Sequence, residues 1–275
     1  YASTEELIAL AGEAAKAGGI YATHMRSEGD GMDAAVDETL RIAREAQIPV
    51  EIWHLKIAGR TNWGKMPAIV ERINAARAEG LDIAADTYAY TAWFNDMSAF
   101  VPPWAHDGGK AKLLERLKDP SARARIKADM LKPSSEWDNE WHEVTGPEGI
   151  LVGVVHNPAL KSLQGQTIRE IAAARNTDPL DTLLDILAAD DAASECAVFG
   201  MDEADVAYAL KQPWTSINND SSGASTEGLL GSFHPHPRAF GTFPRVLRKY
   251  VREEHLLSLE DAVRKFSAQI GRAHV

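Results

Sequence analysis

Two strand-like runs that each end in a histidine constrain this chain more than any other feature. They are Ile20-Tyr21-Ala22-Thr23-His24 and Val50-Glu51-Ile52-Trp53-His54, 30 residues apart. Between them, Met32 to Gln47 reads as a helix that stops at Ile48-Pro49. A second helix is predicted from Met66 to Glu79, closed by Gly80. It precedes a third strand, Leu81–Asp86, which runs into Thr87-Tyr88-Ala89-Tyr90. Strand, helix, strand at a regular interval implies a parallel sheet. Polar residues at the C-terminal ends of such strands are how a (β/α)₈ barrel builds a reactive rim. Two histidines one βα unit apart therefore share one rim, and imidazole is the commonest metal ligand among side chains.

The rhythm breaks after Tyr90. Residues 91–149 hold Pro102-Pro103-Trp104, charged helices over Lys110–Lys118 and Ser121–Met130, and a polar stretch with Trp137 and Trp141. This segment is expected to be an insertion over one barrel face. Residues 1–90 then supply the first βα units, and residues 150–275 the remainder of the barrel. In that remainder Ile150–His156 and Cys196–Met201 look strand-like, and Trp214–Asp220 is a better strand that ends in a carboxylate. Helices are expected at Ile168–Arg175, Pro179–Ala189, Phe243–Glu254 and Ser258–Ala268, with a Gly/Ser loop over Ser221–Ser232.

Composition narrows the function classes. A net charge of -11 with no basic stripe argues against nucleic acid. No apolar run approaches the ~20 residues that span a bilayer. One cysteine, Cys196, excludes a disulfide framework within the chain and is expected to be a small buried hydrophobe. The expected setting is cytoplasmic, and oligomeric state is not legible. The abrupt termini, Tyr1-Ala2-Ser3-Thr4 and Ala273-His274-Val275, suggest a piece of a longer protein.

On a barrel, three strand ends converge: His24, His54 and Asp220. Two imidazoles and a carboxylate suit a divalent metal, most often zinc. Zinc lowers the pKa of bound water to ~7 and polarises a carbonyl. A neighbouring carboxylate can take a proton from water and pass it to a leaving amine. The pattern points to a metal-assisted hydrolase acting on a small molecule. Lys56, two residues beyond His54, Tyr88 at the third strand end, and Arg238 in a Pro-stiffened loop are candidates for gripping a substrate carboxylate. Each has a plain structural reading too: a surface histidine, solvated loop charges, or tyrosines that pack the rim. Glu28 and Asp30 read as loop and N-cap residues, and His234 and His236 as shaping their loop.

Several segments together resemble the N-acyl-D-amino-acid deacylases, or D-aminoacylases, of the amidohydrolase superfamily. They are Thr23-His24-Met25-Arg26, Trp53-His54-Leu55-Lys56, Ala85-Asp86-Thr87-Tyr88-Ala89-Tyr90-Thr91-Ala92, His236-Pro237-Arg238 and Gly241-Thr242-Phe243-Pro244-Arg245-Val246-Leu247. The resemblance covers nearly the whole chain and implies a zinc enzyme on a (β/α)₈ barrel. It would cleave an N-acyl-D-amino acid to a carboxylate and a D-amino acid. By position it implies metal binding by His24 and His54, catalysis by Asp220, and a substrate-carboxylate grip by Lys56, Tyr88 and Arg238. One tightly bound Zn²⁺ is implied, with a second left open.

The chain departs from that pattern in places. Asn218-Asn219-Asp220-Ser221 stands where the family reads Gly-Ser-Asp-Gly, and Trp53 where it more often has serine. The family's His-x-His strand, its metal-bridging cysteine and its small β-sandwich have no counterpart here. The expected fold class is therefore α/β, a partial (β/α)₈ metal-dependent-hydrolase barrel with an inserted segment. On its own the fragment is expected to bind zinc poorly and to be inactive. The alternatives are a cyclic amidase of the hydantoinase or dihydroorotase kind, a non-catalytic barrel, and, least favoured, a tryptophan-based peptide or carbohydrate binder.

Overall fold

A computed structural model describes residues 2–134, 136–229, 231 and 235–268. Helix α1 (Thr4–Lys16) begins at Ser3, whose hydroxyl accepts the Glu6 N–H, and turns out of the helix at Gly18, where φ is +73°. Strand β1 (Tyr21–Thr23), helix α2 (Met32–Ala46), strand β2 (Val50–Ile52), helix α3 (Met66–Ala78) and strand β3 (Ile83–Thr87) follow in the expected order. All three strands are parallel, with Tyr21 opposite Val50 and Val50 opposite Ile83. Their side chains, with the inner faces of α2 and α3, form one apolar cluster that includes Val36, Leu40, Ile52, Ile69, Ile73 and Ile83. The βα rhythm has the cause the sequence suggested: parallel strands need crossovers, and the helices cover the sheet.

The parallel sheet is completed by β7 (Thr215–Ile217), which pairs with β3 through Ala85 and Thr215, giving the order β1-β2-β3-β7. Between these neighbours the chain builds a second sheet from β4 (Ala92–Asp96), β5 (Ile150–Val154) and β6 (Glu195–Phe199), antiparallel, with β6 in the middle. The strands near 150 and 196 thus join Ala92–Asp96, and the parallel sheet resumes at Thr215 rather than at residue 150. Helices α4 (Lys110–Lys118), α5 (Pro120–Met130), α6 (Glu140–Glu143), α7 (Ile168–Arg175) and α8 (Pro179–Ala189) accompany this sheet. They share a core with it that includes Phe100, Leu117, Ile126, Leu183 and Cys196. Periodicity cannot separate a parallel from an antiparallel partner for a short apolar strand, which is why this pairing was not visible.

Helix α9 (Glu203–Lys211) leads into β7, and α10 (Arg238–Arg245) and α11 (Leu259–Phe266) end the described chain. The helix expected over Phe243–Glu254 starts earlier, at Arg238, and passes into a π-helix over Val246–Glu253 just after Pro244. Proline lacks the amide donor of a regular turn, and wide turns follow such interruptions. Cys196 is fully buried, as expected. No described helix is long and apolar enough to cross a membrane.

Candidate active site

The strands stop short of the residues singled out in the sequence. β2 ends at Ile52, and His54 takes a left-handed backbone, φ +38°. β7 ends at Ile217, and Asp220 does the same at φ +42°. Side-chain-bearing residues in this region cost energy and cluster where function demands an unusual aim. The His54 amide leaves the ladder and donates instead to the carboxylate of Asp86, at the end of β3. Asn218 Nδ2 donates to the same oxygen at 2.5 Å. Asp86 thus ties three strand ends together, and burial pushes its carboxyl upward.

The two strand-end histidines meet. His24 Nδ1 lies 3.1 Å from His54 Nε2, with the rings edge to face. The far nitrogen of His54, Nδ1, faces Glu28 Oε1 at 3.0 Å and Lys56 Nζ at 2.9 Å. Lys56 and Glu28 pair at 2.6 Å, and both are buried, with 5% and 9% of their side chains exposed. Burial alone would raise the Glu28 carboxyl; Lys56, then His54 and His24, overcome it and hold it at about 2. The sequence marks Glu28 as a loop or N-cap residue. It is a loop residue, but the N-cap of α2 is Gly31, and the Glu28 carboxylate turns inward to the charges of Lys56 and His54. Asp30 likewise accepts from Asn62 Nδ2 at 2.9 Å rather than capping α2. Asp138, from the segment between β4 and β5, holds the loop by accepting from Ser27 Oγ at 2.5 Å and from the Glu28 N–H at 2.9 Å.

The donors fit a metal ion. With its proton on Nδ1, donated to Glu28, His54 would keep a lone pair on Nε2, the arrangement seen behind metal-bound histidines. That lone pair converges with His24 Nδ1 at 3.1 Å. Two nitrogens each about 2.0–2.1 Å from a tetrahedral zinc stand roughly this far apart. His24, Glu28 and His54 form a group whose ligand atoms all lie within 4.8 Å of one another.

Of the remaining candidates, Asp220 and Arg238 line a cavity of about 990 Å³. His24, His54, Asp86, Asn218, Asp220 and Arg238 all line it. Arg238 Nη2 donates to Asp220 Oδ2 at 2.9 Å. The guanidinium lies over the Tyr88 ring, 4.5 Å from its centroid, and is 5% exposed. Its Nε and Nη1 are buried with no hydrogen-bond partner among the described residues. Tyr88 is wholly buried, its hydroxyl near Met201 Sδ at 3.8 Å, and burial raises its phenol well above the ordinary range. Neither Tyr88 nor Lys56 lines the cavity: Tyr88 carries Arg238 from beneath, and Lys56 faces Glu28 and His54. His236 accepts the Arg238 N–H on Nδ1 at 3.0 Å and packs edge-on against Tyr90. Burial, then Arg238, pushes its imidazole down to about 4, so it is neutral. His234 lies outside the described residues.

Glu28, Asp86 and Asp138 were not singled out. Asp86 carried the same signal as Asp220, a carboxylate at the end of a strand. Glu28 and Asp138 sit in polar loops without period, where no sequence signal marks an inward-turned acid.

No family model matches the chain. It is 31% identical over 271 residues to the N-acyl-D-glutamate deacylase of Alcaligenes xylosoxydans xylosoxydans, which covers 98% of the chain and 44% of that protein. Its fold is similar to that of a D-aminoacylase whose crystal structure defines a novel subset of amidohydrolases, with a TM-score of 0.71, 29% identity, and coverage of 98% of this chain and 45% of that one. It is also similar to the N-acyl-D-glutamate deacylase of Bordetella bronchiseptica complexed with zinc and a phosphonate mimic of the tetrahedral intermediate, with a TM-score of 0.72, 26% identity, and coverage of 99% and 46%. The chain spans under half the length of the curated relative it matches. In sequence and in its partial barrel alike, the chain is homologous to the N-acyl-D-amino-acid deacylases of the amidohydrolase superfamily, along a segment a little under half their length.

Proposed function

We propose that the protein hydrolyses the amide of N-acyl-D-amino acids, releasing a carboxylate and a D-amino acid. The observation that carries this reading is one cavity lined both by the converging His24–His54 pair and by Arg238, two of whose buried donors have no partner among the described residues. His24 and His54 would hold a zinc ion, with Glu28 setting the tautomer of His54. When bound, zinc supplies Lewis acidity toward the acyl carbonyl and a water acidic near neutral pH.

The chain's own groups do the rest. Arg238 receives the substrate carboxylate on Nε and Nη1, a geometry suited to bidentate pairing. Tyr88 beneath the guanidinium and Asp220 on Nη2 hold it in place. Lys56 reaches the substrate only indirectly, through Glu28 and His54. Asp220 Oδ accepts a proton from the attacking water and returns it to the departing amine nitrogen. A free carboxylate on the substrate, which Arg238 demands, favours an acyclic N-acyl-amino acid over a cyclic amide.

The test is acetate release from N-acetyl-D-methionine by the full-length protein bearing this sequence, with zinc supplied. Turnover of the D but not the L enantiomer is expected. Asp220→Asn is expected to abolish turnover while retaining metal, and Arg238→Ala chiefly to raise KM. Near-normal turnover by Asp220→Asn, or hydrolysis of hydantoins in preference to N-acyl-D-amino acids, would overturn the reading.

A further inference from the structure

The antiparallel sheet also contributes to the cavity wall, and its chemistry is specific. Phe94 from β4, Val154 from β5 and Glu195 from β6 all line the cavity. Register explains why. Phe94 opposes Ala197, and Asp96 opposes Glu195, so Phe94 and Glu195 share a sheet face. Cys196, on the other face, is core. On β5 the pairing slips between Val152 and Val154, so Val154, not Gly153, stands opposite Glu195. Bulges beside active sites re-aim side chains in this way. Gly153 itself leaves room for the Phe94 ring, since a Cβ there would stand 2.4 Å from Phe94 Cε2.

The Glu195 carboxylate forms no hydrogen bond and no ion pair with another described side chain. Burial and the facing Asp96 push its carboxyl upward, as befits an anion without a partner, while His156 acts the other way. Among the described lining residues, Arg238 is the one permanent cation, and its open donors suit the α-carboxylate. The lining imidazole of His236 is neutral. A second carboxylate on the substrate would therefore meet Glu195 and no countercharge. A cationic tip would meet an unpaired anion, and an apolar stem would lie along Phe94 and Val154.

We infer that Glu195 sets the side-chain preference of this site, selecting N-acyl-D-amino acids with an apolar stem and a cationic tip, of the D-lysine or D-arginine kind, over acidic ones. This rests on the deacylase reading and deepens it.

The test is a calorimetric comparison of N-acetyl-D-lysine, N-acetyl-D-methionine and N-acetyl-D-glutamate on the metal-free full-length protein, where no turnover interferes. It is repeated as kcat/KM with zinc. The expected order is lysine, methionine, glutamate, with about tenfold between successive members for a half-buried charge contact. Glu195→Gln should remove the lysine-over-methionine preference, and Glu195→Lys should place glutamate first. Glutamate binding tightest to the unaltered protein, equal affinities, or a lysine-to-methionine ratio untouched by Glu195→Gln would each overturn the assignment while leaving the deacylase reading intact. Failure of all three ligands to bind and to turn over would remove the deacylase reading, and this assignment with it.

Discussion

Replacing Glu28 by glutamine tests the least expected part of the site. The carboxylate lies 2.6 Å from Lys56 Nζ and 3.0 Å from His54 Nδ1, and both side chains of the ion pair are nearly inaccessible. Removing one partner of a buried pair strands the other charge and costs about 3–5 kcal/mol. The amide oxygen of glutamine can still accept a hydrogen bond, so the lower end, about 3 kcal/mol, is expected. That is a large part of the ~5–15 kcal/mol that holds a typical domain together. On the metal-binding role proposed for His54, losing the carboxylate behind it should also weaken zinc by about 10–100-fold. The two effects separate in a double variant. Lys56→Met in the Glu28→Gln background removes the stranded ammonium and should recover most of the stability, yet it leaves His54 without its orienting carboxylate. Urea denaturation reads the first quantity, and competition with a chromophoric chelator reads the second. If Glu28→Gln changed neither, or if Lys56→Met restored zinc affinity along with stability, the orienting role of Glu28 would be wrong.

Two further outcomes follow from packing and protonation. Glu143 is 6% exposed, and burial, reinforced by Asp138, Glu140, Asp30 and Glu28, pushes its carboxyl to about 9. The native state then holds a proton that the unfolded chain releases above the ordinary value of 4.5, so stability falls as pH rises between 4.5 and about 9. By pH 7 that loss is about 3 kcal/mol. Glu143→Gln, with no proton to lose, should gain more than about 1 kcal/mol on the native protein between pH 5 and pH 8 in urea titrations; parallel pH profiles would show that the carboxyl is not held protonated. At Gly200 a Cβ would stand 2.6 Å from two ring atoms of Trp93, itself 6% exposed. The buried indole must shift to make room, so Gly200→Ala should cost about 1–3 kcal/mol and lower Tm, measured by thermal melts.

How much of this was legible before the fold was known depends on range along the chain. The βα units could be read because period and breakers act over a few residues: Ile48-Pro49 ends α2, and Gly80 closes α3. The histidines at 24 and 54 and the carboxylate at 220 could be nominated because a polar residue at the end of an apolar strand has few structural reasons to be there. That Asp220 and Arg238 share a cavity with the histidines needed β7 beside β3, a pairing across more than a hundred residues.

The sequence alone determined the alternation of strand and helix, hence the parallel half-barrel, since hydrophobic periodicity is a local property of the chain. Only the tertiary structure decided that Ile150–Val154 and Glu195–Phe199 leave the barrel for a separate antiparallel sheet. It alone showed that Glu28 turns in to Lys56 and His54, and that the Glu195 carboxylate stands in the cavity wall with no ion pair to another described side chain. Strand partnership and the balance of charge around a buried acid depend on contacts between distant segments, and no residue carries its distant neighbours in its own identity.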